Sequence, residues 1–385
     1  MIVLFVASRQ IGHMDFGGLG FVRLDAAFRA QGHETSWLSI GEQVNRLRNQ
    51  GCIATDVPEV AQLTLLPIEH PADIATYPAH QENRIAALGR FLERVKELRP
   101  DLMIIDRLLV GAGLVADQLE IPYVAVGTPG GHWRFEVNHE RGQVDIHPAP
   151  GPIESYRAYG DVLKRDLGWT RGELASGWLR SPYCNLHFMG RSFYGHVAET
   201  RTANILHHKP AAAPGTRIGI SFGNQGNQER LHQLTEGVIQ GLPAGVGINL
   251  FVGQDEALRA HFSRLSDGRD VKVHQWVDFS LAMPDLACLV FLGGVGSIWH
   301  CMDQGIPAIT VPGHIGDQLE NARRVAATGI GLHIDADLPA EELPAILERT
   351  VKERPLGHAI SDFKAKTNYS DTMESFVERA SRLAF

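Results

Sequence analysis

Two doubly wound α/β domains in series are the fold class this chain predicts, and three features carry the prediction. Short apolar runs alternate with helical patterns in both halves, the centres of those runs are apolar throughout, and the alternation lapses once, near the middle. Alternating periods are the mark of βαβ units, and strands without a polar face suit a parallel sheet covered on both sides. At 385 residues the chain is longer than one core usually serves, which gives two domains.

The first half opens with the strand IVLFVAS (2–8) and a helix through FVRLDAAFRAQG that Gly32 stops. ETSWLSI and LTLLPI read as the next strands. A long helix through NRIAALGRFLERVKELR ends before Pro100, and DLMIIDR and PYVAVGT complete the series. From about Pro129 to Pro214 the periodicity weakens and Trp, Tyr, His, Gly and Pro accumulate, so part of this region is expected to be irregular and to face a ligand. Its aromatics, Trp169 and Phe193 among them, fit either an apolar ligand wall or a core. The stretch HHKPAAAPGT (207–216) reads as the linker.

The second half repeats the pattern with RIGISFG, GINLFVG, VKVHQWV, CLVFLGG, PAITVPG and GIGLHID as strands. A last helical stretch, from about Ser361 to Leu383, has no strand after it and is expected to pack across the domain boundary. The expected organisation is therefore an N-terminal domain over 1–210, a C-terminal domain over 217–360 and a terminal helix in 361–385.

Charge and cysteine usage narrow the partners. A formal charge of -8 and a pI near 6.1 leave no basic footprint for a phosphate backbone, so nucleic acid is not expected. No apolar run approaches the roughly 20 residues that span a bilayer. The opening residues lack the basic start of a secretory signal. Cys52, Cys184, Cys288 and Cys301 lack the CxxC spacing of a zinc or redox site. A cytoplasmic protein acting on a small ligand is the expectation.

The clearest chemical signal is LGGVGS (292–297), set between the apolar run CLVF and a helical segment. A strand running through glycines into a helix presents backbone N–H groups to an anion, and Ser297 is placed to cap that helix. The same residues also suit a plain strand-to-helix turn. No GxxxxGK[ST] occurs, and SRQIGHMDFGGLGF after the first strand has no GxGxxG in register, which disfavours ATP and nicotinamide cofactors.

The stretch VHQWVDFSLAMPDLACLVFLGGVGSIWHCMDQGIPAITVPGHIGDQLENARRVAATGIG closely resembles the donor-binding signature of the UDP-glycosyltransferase superfamily, family 1 of the GT-B glycosyltransferases, of the bacterial natural-product type. The segment ISFGNQG (220–226) and the N-terminal GH and QGHET extend the likeness over most of the chain outside 129–214. The resemblance implies a GT-B fold, with two Rossmann-like domains facing across a cleft. It implies a UDP- or TDP-sugar donor, a small and apolar natural-product acceptor, no metal, and a single displacement that inverts the anomeric centre.

Carried over residue by residue, the backbone of Gly294, Gly296 and Ser297 faces the diphosphate, with Asn224 approaching from the opposite loop. Trp276 and Val277 flank the base. Asp317 and Gln318 match the pair that bonds sugar hydroxyls, although Asp317 with Glu320 also makes a helix-capping pattern. His13 matches the general base and Asp106 the aspartate that orients it. The Asp335-Ala-Asp337 triplet reads as turn residues rather than a metal motif. Two positions depart from the pattern: Leu292 replaces a histidine that bonds the diphosphate, and His300 stands where many members carry a ribose-binding glutamate. One lost charged hydrogen bond costs about 1.5 to 3 kcal/mol, and His300 is the candidate to replace it. The alternatives are a nucleotide-binding protein of the same fold without turnover, or another GT-B activity such as a nucleotide-sugar epimerase.

Overall fold

The computed structural model describes residues 1–7, 21–63, 77–107, 109–127, 133–138, 143–148, 165–170, 181–187, 193, 202–204, 215–223, 229–253, 255–275, 277, 282–312, 318–335, 337–353, 357–366 and 373–384. The first unit comprises β1 (Ile2–Val6), α1 (Phe21–Ala30), β2 (Glu34–Ser39), α2 (Glu42–Asn49), β3 (Ala54–Asp56), α3 (Tyr77–Leu98), β4 (Leu102–Asp106), α4 (Val110–Gln118), β5 (Tyr123–Val126), β6 (Trp133–Asn138), β7 (Gln143–Pro148), β8 (Cys184–His187) and β9 (Thr202–Asn204). The strands other than β6 and β7 form a seven-stranded parallel sheet in the order β3-β2-β1-β4-β5-β8-β9.

The strand β1 shows why the sheet is parallel and buried. Leu4 and Val6 enter a cluster with Leu88, Phe91 and Val95 of α3, whereas Val3 and Phe5 enter one with Phe21, Leu24 and Phe28 of α1. Side chains alternate across a strand, so an unbroken apolar run feeds two cores at once. Phe5 stacks on Trp37 of β2 with ring centroids 4.6 Å apart.

The second unit comprises β10 (Arg217–Ser221), α5 (Glu229–Gly241), β11 (Ile248–Phe251), α6 (Glu256–Leu265), β12 (Val271–His274), β13 (Leu286–Phe291), α7 (Val295–Gln304), β14 (Ala308–Thr310), α8 (Gln318–Thr328), β15 (Gly331–His333), α9 (Leu343–Glu353), α10 (Gly357–Lys366) and α11 (Met373–Ser381). Its six strands run parallel in the order β12-β11-β10-β13-β14-β15. Arg217 locks the amino ends of three neighbouring strands: its guanidinium donates to Asn249 Oδ1 at 2.8 Å, Asp270 Oδ2 at 2.7 Å and Ile248 O at 2.9 Å. The opposite, carboxyl end of the sheet is left to the loops.

Two local readings change, and a third falls outside the described residues. The expected strand LTLLPI lies outside the described residues apart from Leu63, and the third strand of the sheet is the shorter Ala54–Asp56. In the region expected to be irregular, β6 and β7 pair as an antiparallel ladder, Trp133 opposite Pro148 and Asn138 opposite Gln143. The terminal stretch is two helices, α10 and α11, rather than one. Of these, α11 returns to the first unit: Gln31 Nε2 donates to Glu374 O at 3.1 Å, and Ser381 Oγ lies 3.0 Å from His33 Nε2. Phe376 and Val377 of α11 are fully buried in the cluster that also holds Phe28 and Trp299. Trp169 and Phe193 are 3% and 2% exposed within apolar clusters, so both belong to the core.

Candidate functional site

In a doubly wound sheet the crevice opens beyond the carboxyl ends of the strands, where the first strand has neighbours reached in opposite directions. In the second sheet that strand is β10, lying between β11 and β13. Ser221 at its end pairs with Phe291, so the segments beginning at Phe222 and Leu292 leave the sheet side by side. Thr310 pairs with Phe291 from the other side.

The glycine turn is built around Gly293. Its φ of +95° lies in the left-handed region, and a Cβ there would stand 2.8 Å from the carbonyl oxygen of Gln318. Only glycine satisfies both the dihedral and the approach. Asn321 Nδ2 donates to Gly293 O at 3.0 Å, which clamps the turn to the first turn of α8. The N-termini of α7 and α8 thereby lie together at one crevice, each with its dipole directed to favour an anion.

Ser297 does not cap α7. The N-cap is Gly294, which has no side chain to bond the helix end, and Ser297 is the third helical residue. The first-turn amides of Val295, Gly296 and Ser297 lack intrahelical acceptors by the geometry of any α-helix. A glycine N-cap brings no side-chain acceptor to them. Around the turn, Gly294, Gly296 and Ser297 are partly exposed, whereas Leu292, Gly293, Val295 and Ile298 are buried. The three positions expected to face a diphosphate are therefore the accessible ones.

Leu292 has a packing reason. Cys288, Val290 and Leu292 alternate onto one face of β13 and its continuation, in the cluster with Leu231 and Leu234 of α5 and Leu343 and Leu347 of α9. Leu292 is 4% exposed, and burial of a leucine is worth about 1.5 to 3 kcal/mol. His300, on the second turn of α7, is also buried, 4% exposed, with Trp299 beside it at 5.2 Å between ring centroids. Gln318 is buried at the start of α8, and Val277 is partly buried against the shared apolar cluster. Trp276, Asn224 and Asp317 lie outside the described residues. The triplet Asp335-Ala-Asp337 places both of its carboxylates on the surface between β15 and α9, as turn residues.

The first sheet has its switch between β1 and β4. Val6 pairs with Ile105, and Asp106 is the next residue, 2% exposed at the carboxyl end of β4. Ser39 Oγ donates to Ala7 O at 2.9 Å and fixes the end of β1 against β2. Arg107 follows Asp106 and is fully buried, its amide donating to Val126 O at 3.0 Å. Sequence reading overlooked Arg107, although two adjacent ionisable residues directly after an apolar strand are a usable signal. His13 lies outside the described residues, in the segment between β1 and α1.

All four cysteines are free and buried, and burial pushes Cys52 and Cys288 up to about 12 and raises Cys301 well above the usual thiol range. No described helix is long and apolar enough to cross a membrane.

No protein-family model and no curated protein matches the chain. Solved structures match it over its full length. They include the glycosyltransferase VinC in complex with dTDP, at 18% identity and TM-score 0.68 over 100% of this chain and 99% of that one. The glycosyltransferase of kitacinnamycin matches at 18% identity and TM-score 0.73, with 100% and 99% covered. SnogD from Streptomyces nogalater matches at 19% identity and TM-score 0.67, with both chains covered in full. The chain thus has the two-domain α/β fold of the GT-B glycosyltransferases.

Proposed function

We propose that this protein is an inverting glycosyltransferase that moves a sugar from a TDP- or UDP-sugar to a hydroxyl or amine of a small, apolar natural product. The observation that carries the reading is the glycine-capped N-terminus of α7 joined to the first turn of α8, with Gly294, Gly296 and Ser297 as the accessible part of the turn. The VinC structure, solved with dTDP, favours the thymidine nucleotide. Several backbone amides and two helix dipoles offer charge stabilisation to a departing diphosphate without a metal, at about 0.3 to 2 kcal/mol for each dipole.

On this reading Asp106 orients His13, which takes the acceptor proton as the nucleophile attacks the anomeric carbon in line with the leaving diphosphate. Asn224 reaches the phosphates, Trp276 and Val277 flank the base, and Asp317 and Gln318 hold the sugar. His300 is buried, so any contact it makes with the donor is made from inside the helix packing.

The test is thermal stability against TDP, UDP, GDP and ADP, repeated with Ser297→Trp. A nucleotide at a hundred times its dissociation constant stabilises by about 2.7 kcal/mol. TDP or UDP should stabilise the wild type and not the variant, and the product formed from an α-linked donor sugar should carry a β-linkage by NMR. If no nucleotide binds at millimolar concentration, Leu292 marks a lost donor site and the reading without turnover replaces this one.

A further inference from the structure

Between α5 and α6 lies a cluster that includes none of the residues assigned to the transfer chemistry. His232 and Glu236 stand four residues apart on α5, hence on one face of the helix, and His261 faces them from the middle of α6. His261 Nε2 lies 2.8 Å from Glu236 Oε1, and His232 Nδ1 lies 3.8 Å from the same oxygen. One donor atom from each residue falls within 4.8 Å of the other two. The imidazole centroids are 4.8 Å apart, and both rings rest on the fully buried Phe262, at 5.0 and 5.1 Å.

We propose that His232, Glu236 and His261 form a divalent-metal site, suited to zinc, that clips α5 to α6. Two imidazoles and one carboxylate are a recognised three-ligand zinc set, with the fourth position left to water. Zinc bonds of about 2.0 to 2.2 Å place neighbouring ligand atoms about 3.3 Å apart, so the atoms need to close by no more than about 1.5 Å. The His232 and Glu236 spacing is that of paired ligands on one helix turn, as in metal motifs with ligands at i and i+4. Phe262 forms the floor and restrains both rings.

The side chains are 32%, 36% and 39% exposed for His232, Glu236 and His261, which leaves an entry path and room for the water ligand. On binding, the Nε2 of His261 exchanges its bond to Glu236 for one to the ion, and any proton on Nε2 moves to the other ring nitrogen through solvent. No electron transfer is involved. Because α5 and α6 are the crossovers on either side of β11, the ion would tie together the half of the sheet formed by β10, β11 and β12. The ion would serve the packing of α5 on α6, and its three ligands are none of the residues assigned to the transfer reaction.

The experiment uses the full chain without a histidine tag, stripped with EDTA and titrated with zinc chloride against a chromophoric chelator. One zinc per chain is expected, with affinity falling about tenfold or more in His232→Ala, in Glu236→Gln and in His261→Ala. Glu236→His, which supplies three imidazoles, should retain the ion, a result that a purely structural role for the carboxylate would not give. Cobalt bound to the wild type should show the visible bands of a four-coordinate site, and zinc should raise the melting temperature of the wild type but not of the alanine variants. Absence of stoichiometric zinc binding, or wild-type affinity retained in all three loss variants, would overturn the proposal.

Discussion

The carboxyl ends of the two sheets are built from different materials. In the second sheet the turn exposes part of Gly294, Gly296 and Ser297, residues with no ionisable side chain, at a glycine-capped helix start. In the first, the switch point presents the buried side chains of Asp106 and Arg107. A site made of backbone survives a change of side chain, which is why Leu292 can join the core without dismantling the turn. A site made of side chains depends on each residue in place. Binding is thus expected to reside in one half and proton transfer in the other, a division that single substitutions test.

The largest effect is expected at Asp106→Asn. Loss of the orienting charge should lower kcat about a thousandfold or more, while the stabilisation by TDP stays intact. Parallel loss of nucleotide binding would erase the division of labour. Gly293→Ala comes next. Its Cβ meets Gln318 O in a backbone conformation that costs about 1 to 3 kcal/mol, so thermal stability should fall and nucleotide stabilisation with it.

Leu292→His separates the two roles of that position. An imidazole placed among Val290, Leu234 and Leu347 should cost about 1 to 3 kcal/mol in denaturant unfolding and bring no gain in nucleotide affinity. Tighter TDP binding at unchanged stability would show that position 292 faces the ligand after all.

The narrowest effect, confined to a pH window, belongs to the first unit alone. Burial pushes the Asp117 carboxyl up to about 6, against the lowering effect of its hydrogen bond from Tyr123. The unfolded chain releases this proton near 3.9, so the contribution is full below pH 4 and is lost as pH rises to about 6. Asp117→Asn should therefore raise stability at pH 7 by about 1 to 3 kcal/mol and leave it unchanged below pH 4 in thermal melts. Its nucleotide response should match the wild type.

The hairpin of β6 and β7 shows where sequence reading fell short. WRFEVN and QVDIHP alternate apolar and polar residues, a period of two that the surrounding glycines and aromatics obscured. The short strand Ala54–Asp56 was missed because three residues carry too little pattern to register. The glycine turn, in contrast, was legible because its positive dihedral and close packing exclude other residues.

By itself the sequence determined the two parallel sheets, their alternating helices and the position of the glycine turn. Each follows from local periodicity or from a backbone conformation that only one residue type tolerates. Only the tertiary structure decided that Gly294 rather than Ser297 is the N-cap of α7, that Leu292 and His300 are buried, and that α11 packs on α1. It also decided the meeting of His232 and Glu236 with His261. These depend on which faces of distant segments come together, and that is set by the packing of the whole core rather than by neighbours in the chain.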